Sequence, residues 1–309
     1  MHLKKRAIVT LIAVLSCLAC ATTPAQPRPP ENTRKSIYYT SRGMALFNKG
    51  CHRRALEYFQ SAHQRYAAAD DLVKVAETLI GIGDIYYRLG DTQSALHVYD
   101  DALEIYQGLA DPQGMARALS DKAAALIALD RLDDAAGALA QADGQPGAPL
   151  PALRWKTRSL LLIRQGKTAE ARALLEKALE TAAPAEEATQ SGIYFALGHL
   201  ALSEKQPAAA REHFAAALQI DRTMGAYHDI ARDLEAMGNC HEALDDPRAA
   251  VHDFKRSAKI FALLQEKQRA EQVLAKLEAN AAKSQTDIQA TVHWVRQWLT
   301  DPAGADLCH

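Results

Sequence analysis

The sequence is poor in the residues that break helices. Its 309 residues hold only 16 glycines and 12 prolines against 48% hydrophobic residues, which excludes a chain built from tight turns and suits a helix-rich globular or repeat protein. It has no excess of charge: 36 Lys and Arg against 37 Asp and Glu leave a formal net charge of −1, so the whole chain has no pull toward nucleic acid. Gly-rich phosphate loops and zinc-protease motifs are absent. Histidines 63, 97, 199, 213, 228, 252 and 293 are scattered at about one per helix, with no carboxylate and nucleophile in a recognisable motif. The sequence therefore proposes no catalytic residue, no enzyme and no cofactor.

What is present is a repeat. Leu79 to Ala102 reads as two amphipathic helices joined at Gly90-Asp91, with Ile82, Tyr86 and Leu89 on one face and Ala95, Tyr99 and Ala102 on another. Stepping by about forty residues brings Gly43, Gly83, Ala123, Ser159, Gly198 and Gly238 into register. Twelve positions later every copy has alanine: Ala55, Ala95, Ala135, Ala171, Ala210 and Ala250. Four beyond stands a bulky apolar residue, Phe59, Tyr99, Leu139, Leu175, Phe214 or Phe254. Three further come Ala62, Ala102, Ala142, Ala178, Ala217 and Ser257. Small residues let two helices approach closely, and the large one fills the gap between repeats.

This register resembles the tetratricopeptide repeat over roughly residues 36–265, in the longer-helix form seen in kinesin light chains. The resemblance implies an all-α fold, an α-solenoid of about six helical hairpins, and a role in binding a partner protein or peptide. Helices over 266–309 are expected to cap its open end. A first comes from the stripe Ala270, Val273, Leu274 and Leu277, and a second from Ile288, Val292, Val295 and Leu299 over about 284–299. Trp294 and Trp298, one turn apart on the latter, offer a possible tail contact for a partner, or simply pack on the last repeat. Within the array, Asp143 to Pro151 is the most helix-hostile stretch and predicts a break near 143–151.

The start of the chain has an export character. His2, Lys4, Lys5 and Arg6 precede a short apolar core, Ala7 to Leu18, too short to span a bilayer as a permanent helix. The ending LSCLACATTP resembles the lipobox of bacterial lipoproteins, which implies a signal peptide over residues 1–19 and lipidation at Cys20, with Cys17 as the alternative; ordinary cleavage after Ala21 is a third option. Residues 20–35 read as a Pro-rich tether. By the same resemblance, the absence of Asp after the lipidated cysteine favours an outer-membrane lipoprotein facing the periplasm. Lipoproteins with such repeats serve in barrel assembly, as pilotins for secretion or pilus pores, or as adaptors for cell-wall enzymes.

In the resembling family the first helices of the pairs line a concave groove. By register the partner-binding groove here includes Asn48, Asp84, Tyr87, Arg88, Arg117, Lys156, Arg164, His199, Arg232, Asn239 and Glu242, flanked by Phe47. Basic side chains outnumber acidic ones on this line, which suits an acidic or carboxylate-bearing peptide. Processing at Cys20 leaves Cys51, Cys240 and Cys308, each followed by histidine. These types suit zinc or copper, but adjacent helical residues point about 100° apart and no pair has zinc-finger spacing, so no metal site is expected. Cys51 and Cys240 sit five repeats apart, beyond the reach of a disulfide; Cys240 and Cys308 could meet if the tail folds back, in an exported compartment that permits the bond, and the other reading is buried thiols with a flexible terminus.

Overall fold

The computed structural model describes residues 31–147, 151–183, 186–301 and 307–308. Cys17, Cys20 and the export segment lie outside the described residues. Among the described residues the chain forms fourteen helices and no strand. Twelve pair into six hairpins: α1 (Glu31–Lys49) with α2 (His52–Ala68), α3 (Leu72–Arg88) with α4 (Thr92–Gly108), and α5 (Pro112–Ala128) with α6 (Leu132–Asp143). The second three are α7 (Pro151–Arg164) with α8 (Thr168–Thr181), α9 (Glu187–Ser203) with α10 (Pro207–Met224), and α11 (Tyr227–Ala243) with α12 (Pro247–Leu263). Two more helices follow, α13 (Lys267–Ser284) and α14 (Gln289–Thr300). No described helix is long and apolar enough to cross a membrane.

Each hairpin turns through one left-handed residue: Gly50, Gly90, Asp130, Gly166, Lys205 and Asp245. At the second turn Gly90 N–H donates to the Tyr87 carbonyl (3.1 Å) and Asp91 N–H to that of Tyr86 (2.9 Å), satisfying groups that the ending helix leaves open. The Asp91 carboxylate then accepts from Ser94 N–H and starts the next helix. Asp71, Asp111 and Asp246 cap their helices in the same way.

The small-residue column faces the bulky column of its own hairpin. A Cβ added at Gly43 would lie 2.8 Å from the Phe59 ring, at Gly83 2.4 Å from Tyr99, at Gly198 2.5 Å from Phe214 and at Gly238 2.6 Å from Phe254. Where the column holds Ala123 or Ser159, the residues in register opposite are the buried leucines Leu139 and Leu175. A flat ring pressed edge-on against the helix leaves no space for a methyl group, whereas a leucine at the same place does. The alanines 55, 95, 135, 171, 210 and 250 are wholly buried.

One boundary differs from the sequence reading: α1 begins at Glu31, inside the expected tether. The break separates α6 from α7, and the helices around it are short, with 12 residues in α6 and 14 in α7. On α14, Trp294 and Trp298 stack with ring centroids 6.0 Å apart; Trp298 packs on the core of α12 and α13, while Trp294 stays exposed.

The superhelix closes on itself. Small rotations between repeats accumulate, and after six hairpins the first meets the last. Leu46, Cys51, Phe59, Ile82 and Ile85 share one core with Leu264 and Cys308, against which Tyr227 and Ile260 also pack. Cys51 and Cys308 form a disulfide with a Cα–Cα distance of 5.4 Å, and Cys240 is buried and free. The sequence left open whether Cys240 and Cys308 pair; the partner of Cys308 is Cys51 instead. Cys308 lies against the first hairpin, where Arg54 Nη1 donates to its carbonyl at 2.7 Å.

Candidate functional site

The first helices of the hairpins face one another across the interior. The clearest sign is the ion pair between Arg88 on α3 and Asp229 on α11 at 2.7 Å, a contact between elements four hairpins apart. Asp229 also takes Arg232 at 3.0 Å, and the Arg232 guanidinium lies over the Phe195 ring of α9 at 4.1 Å. Asp84 accepts from Tyr99 OH at 2.8 Å and faces Arg117 at 3.7 Å, while Arg117 faces Asp121 at 3.6 Å. The inner wall is therefore a string of neutralised charges rather than a free basic surface.

Lys156, on α7, is the exception. Its ammonium has no ion pair or hydrogen bond with any described residue, and it packs 3.3 Å from the place where a side chain would start on Gly192. Burial on the concave wall holds this lysine below its ordinary pKa, and the Arg88 charge adds to the effect. The same enclosure raises Asp121 to about 7, with the Asp84 charge adding to burial. Asp229 moves the other way: burial works against ionisation, but Arg88 and His228 hold the carboxyl well below the usual range.

The remaining groove positions are dispersed. Asn48 is exposed at the end of α1, and Tyr87 is half-buried beside the closure. Arg164 pairs with Asp130 at 2.6 Å, between the third and fourth hairpins. His199 sits edge-on to Phe195 and Phe214. Asn239 accepts from Lys276 at 3.0 Å and Glu242 from Asn280 at 3.3 Å, so both face α13.

The closure itself holds groups that sequence reasoning missed. A cavity of about 980 Å³ opens there, lined in part by His52, Tyr87, Arg88, His228, Arg232 and Glu266. His52 and His228 are buried with ring centroids 4.9 Å apart. Burial pushes His52 down to about 2 and His228 to about 4, leaving both imidazoles neutral at physiological pH. Burial raises Glu266 to about 7. The sequence carries no signal for this meeting, because His52 belongs to the first hairpin and His228 to the sixth.

Tetratricopeptide-repeat models match residues 36–108, 158–183 and 191–224. Among solved structures, the chain is similar to a Rap protein complexed with competence and sporulation factor: 17% identity, 81% of this chain and 75% of that one, TM-score 0.55. It is also similar to the Rap conjugation gene regulator of plasmid pLS20 in complex with the Phr* peptide: 16% identity, 88% of this chain and 82% of that one, TM-score 0.56. The apo form of RapI covers 88% of this chain and 77% of its own at 16% identity, with a TM-score of 0.51. At these identities the likeness is one of fold. A sequence comparison with curated proteins found no match.

Proposed function

We propose that this chain, a tetratricopeptide-repeat protein, is a lipid-anchored scaffold that holds a partner protein, or an extended segment of one, at the periplasmic face of the outer membrane. Lys156 carries the reading. Arg88, Arg117 and Arg232 are taken up by Asp229, Asp84 and Asp121, whereas the Lys156 ammonium on the same wall has no partner among the described residues. An enclosed ammonium gains most from a carboxylate brought by a ligand. The ligand class is thus a peptide with one well-placed acidic group or C-terminus, not a strongly acidic segment. The Phr* peptide bound by a neighbour of the same fold supports a peptide as the occupant.

Two features support the envelope. The LSCLACATTP stretch resembles a lipobox around Cys20, though Cys17 stands where that motif prefers leucine, and Cys17 is the alternative anchor. The Cys51–Cys308 disulfide is of the kind that persists in oxidising compartments.

The test is a crosslinking pull-down from native membranes, comparing the natural chain with Lys156→Glu and with Glu104→Lys on the outer surface. One dominant envelope partner, lost only with Lys156→Glu, is expected. Retention by Lys156→Glu would remove the inner-wall site, and a soluble, unlipidated chain would remove the anchor. In parallel, Cys20→Ser should release the protein from membranes; release by Cys17→Ser alone would move the anchor to Cys17.

A further inference from the structure

At the closure, three side chains from three separate elements converge. His52 is the first residue of α2, His228 the second of α11, and Glu266 immediately precedes α13. Each offers one ligand atom, and the three atoms lie within 4.8 Å of one another. Glu266 Oε1 stands 3.9 Å from His52 Nδ1 and 3.6 Å from His228 Nε2. Those separations are too long for hydrogen bonds, which run about 2.7–3.2 Å. They are a few tenths of an ångström longer than the roughly 3.3–3.5 Å between neighbouring ligands of a tetrahedral zinc with bonds of about 2.0–2.1 Å, so a bound ion would draw the three side chains slightly together. Glu266 Oε1 is fully buried and has no hydrogen-bond partner among the described residues. A buried carboxylate oxygen left in that state is costly, and a bound cation would satisfy it.

We infer that His52, His228 and Glu266 form a zinc(II) site that staples the first hairpin to the sixth and to α13. The surroundings have the parts such a site needs. His228 Nε2 is the nitrogen turned to Glu266, while Nδ1 lies 3.5 Å from Asp229 Oδ1, beyond hydrogen-bond reach. Asp229 also pairs with Arg88 and Arg232 and offsets part of the positive charge that opposes a cation here. The ligand set is nitrogen and oxygen only, because Cys51 and Cys308 are bonded to each other. The fourth position opens on the cavity of about 980 Å³ and takes water. Three helix N-termini meet here, and their positive ends weaken cation binding. A dissociation constant near the micromolar range is therefore expected, not the much tighter binding of a closed structural site.

The test uses the full, untagged chain with its disulfide intact, dialysed against zinc(II) and titrated in competition with a chromophoric zinc indicator. One zinc per chain is expected, with at least tenfold weaker binding in Glu266→Gln and in His228→Gln and no change in His293→Gln on α14. Zinc should raise the Tm of the natural chain and leave that of Glu266→Gln unmoved. Substoichiometric zinc, or equal affinity in Glu266→Gln, would overturn the site. Glu266→Gln preserves size and hydrogen-bonding shape, so it decides the question if the histidine variant fails to fold. No partner is present in these measurements, so their outcome is separate from that of the scaffold reading.

Discussion

At the scale of single residues, the fold rests on pairs that trade volume. Glycine stands wherever the facing residue is Phe or Tyr, and Ala or Ser wherever it is Leu, as Gly198 with Phe214 and Ala123 with Leu139 show. Gly198→Ala is expected to cost about 1–3 kcal/mol by forcing a methyl into the Phe214 ring. Adding Phe214→Leu should recover part of that loss, because the double variant recreates the pair of the third hairpin. Chemical denaturation of the two single variants and the double variant measures the coupling.

Another residue-scale device is the acidic pair between α10 and α11. Asp221 and Asp233 are buried against each other, with Ser191 bonded to Asp221 and with Asp229 and Arg232 nearby. Burial first, then their mutual repulsion, raises Asp233 to about 9, while burial chiefly raises Asp221 to about 6. Both folded values exceed the ordinary carboxylate range, so the folded state binds more protons than the unfolded chain. Stability is therefore present at acidic pH and is lost as pH rises through about 6 and then about 9. Asp233→Asn should flatten that fall, on the order of 1–3 kcal/mol, in urea midpoints measured across the window.

At the scale of elements, the six hairpins make the same turn with glycine, aspartate or, once, lysine. Gly90 accepts a φ of 84° without strain, but Lys205 is held at 59°, where a Cβ crowds the backbone. Lys205 is exposed and makes no ion pair among the described residues. Lys205→Gly is accordingly expected to raise stability by roughly 1 kcal/mol, read as a higher Tm with unchanged helicity. A fall would mean that the entropy glycine adds to the unfolded chain outweighs the relief of strain.

At the scale of the whole molecule, closure decides the behaviour. The disulfide joins residues 257 apart, so breaking it frees nearly the entire solenoid to open. Cys51→Ser should cost about 2–4 kcal/mol, and a reductant should cost the natural chain the same amount. Cys240→Ser should leave the response to reductant intact, since Cys240 is unpaired. Opening would also part Arg88 from Asp229 and His52 from His228, so reduction should weaken zinc binding along with stability.

The sequence by itself determined the hairpin, its turn positions and its repetition, because these depend on contacts within about forty residues that recur in register. Gly83, Ala95 and Tyr99 declare a packed pair of helices wherever the pattern returns. The register places Arg88, Lys156 and Arg232 on the first helices of their hairpins, where the structure also has them. The states of those residues were not legible. Whether Arg88 is free or bound to Asp229, which cysteine meets Cys308, and that His52, His228 and Glu266 converge all depend on how far the superhelix turns. That angle is a sum of small rotations at every interface, and no local pattern encodes the sum. Only the tertiary structure decided it.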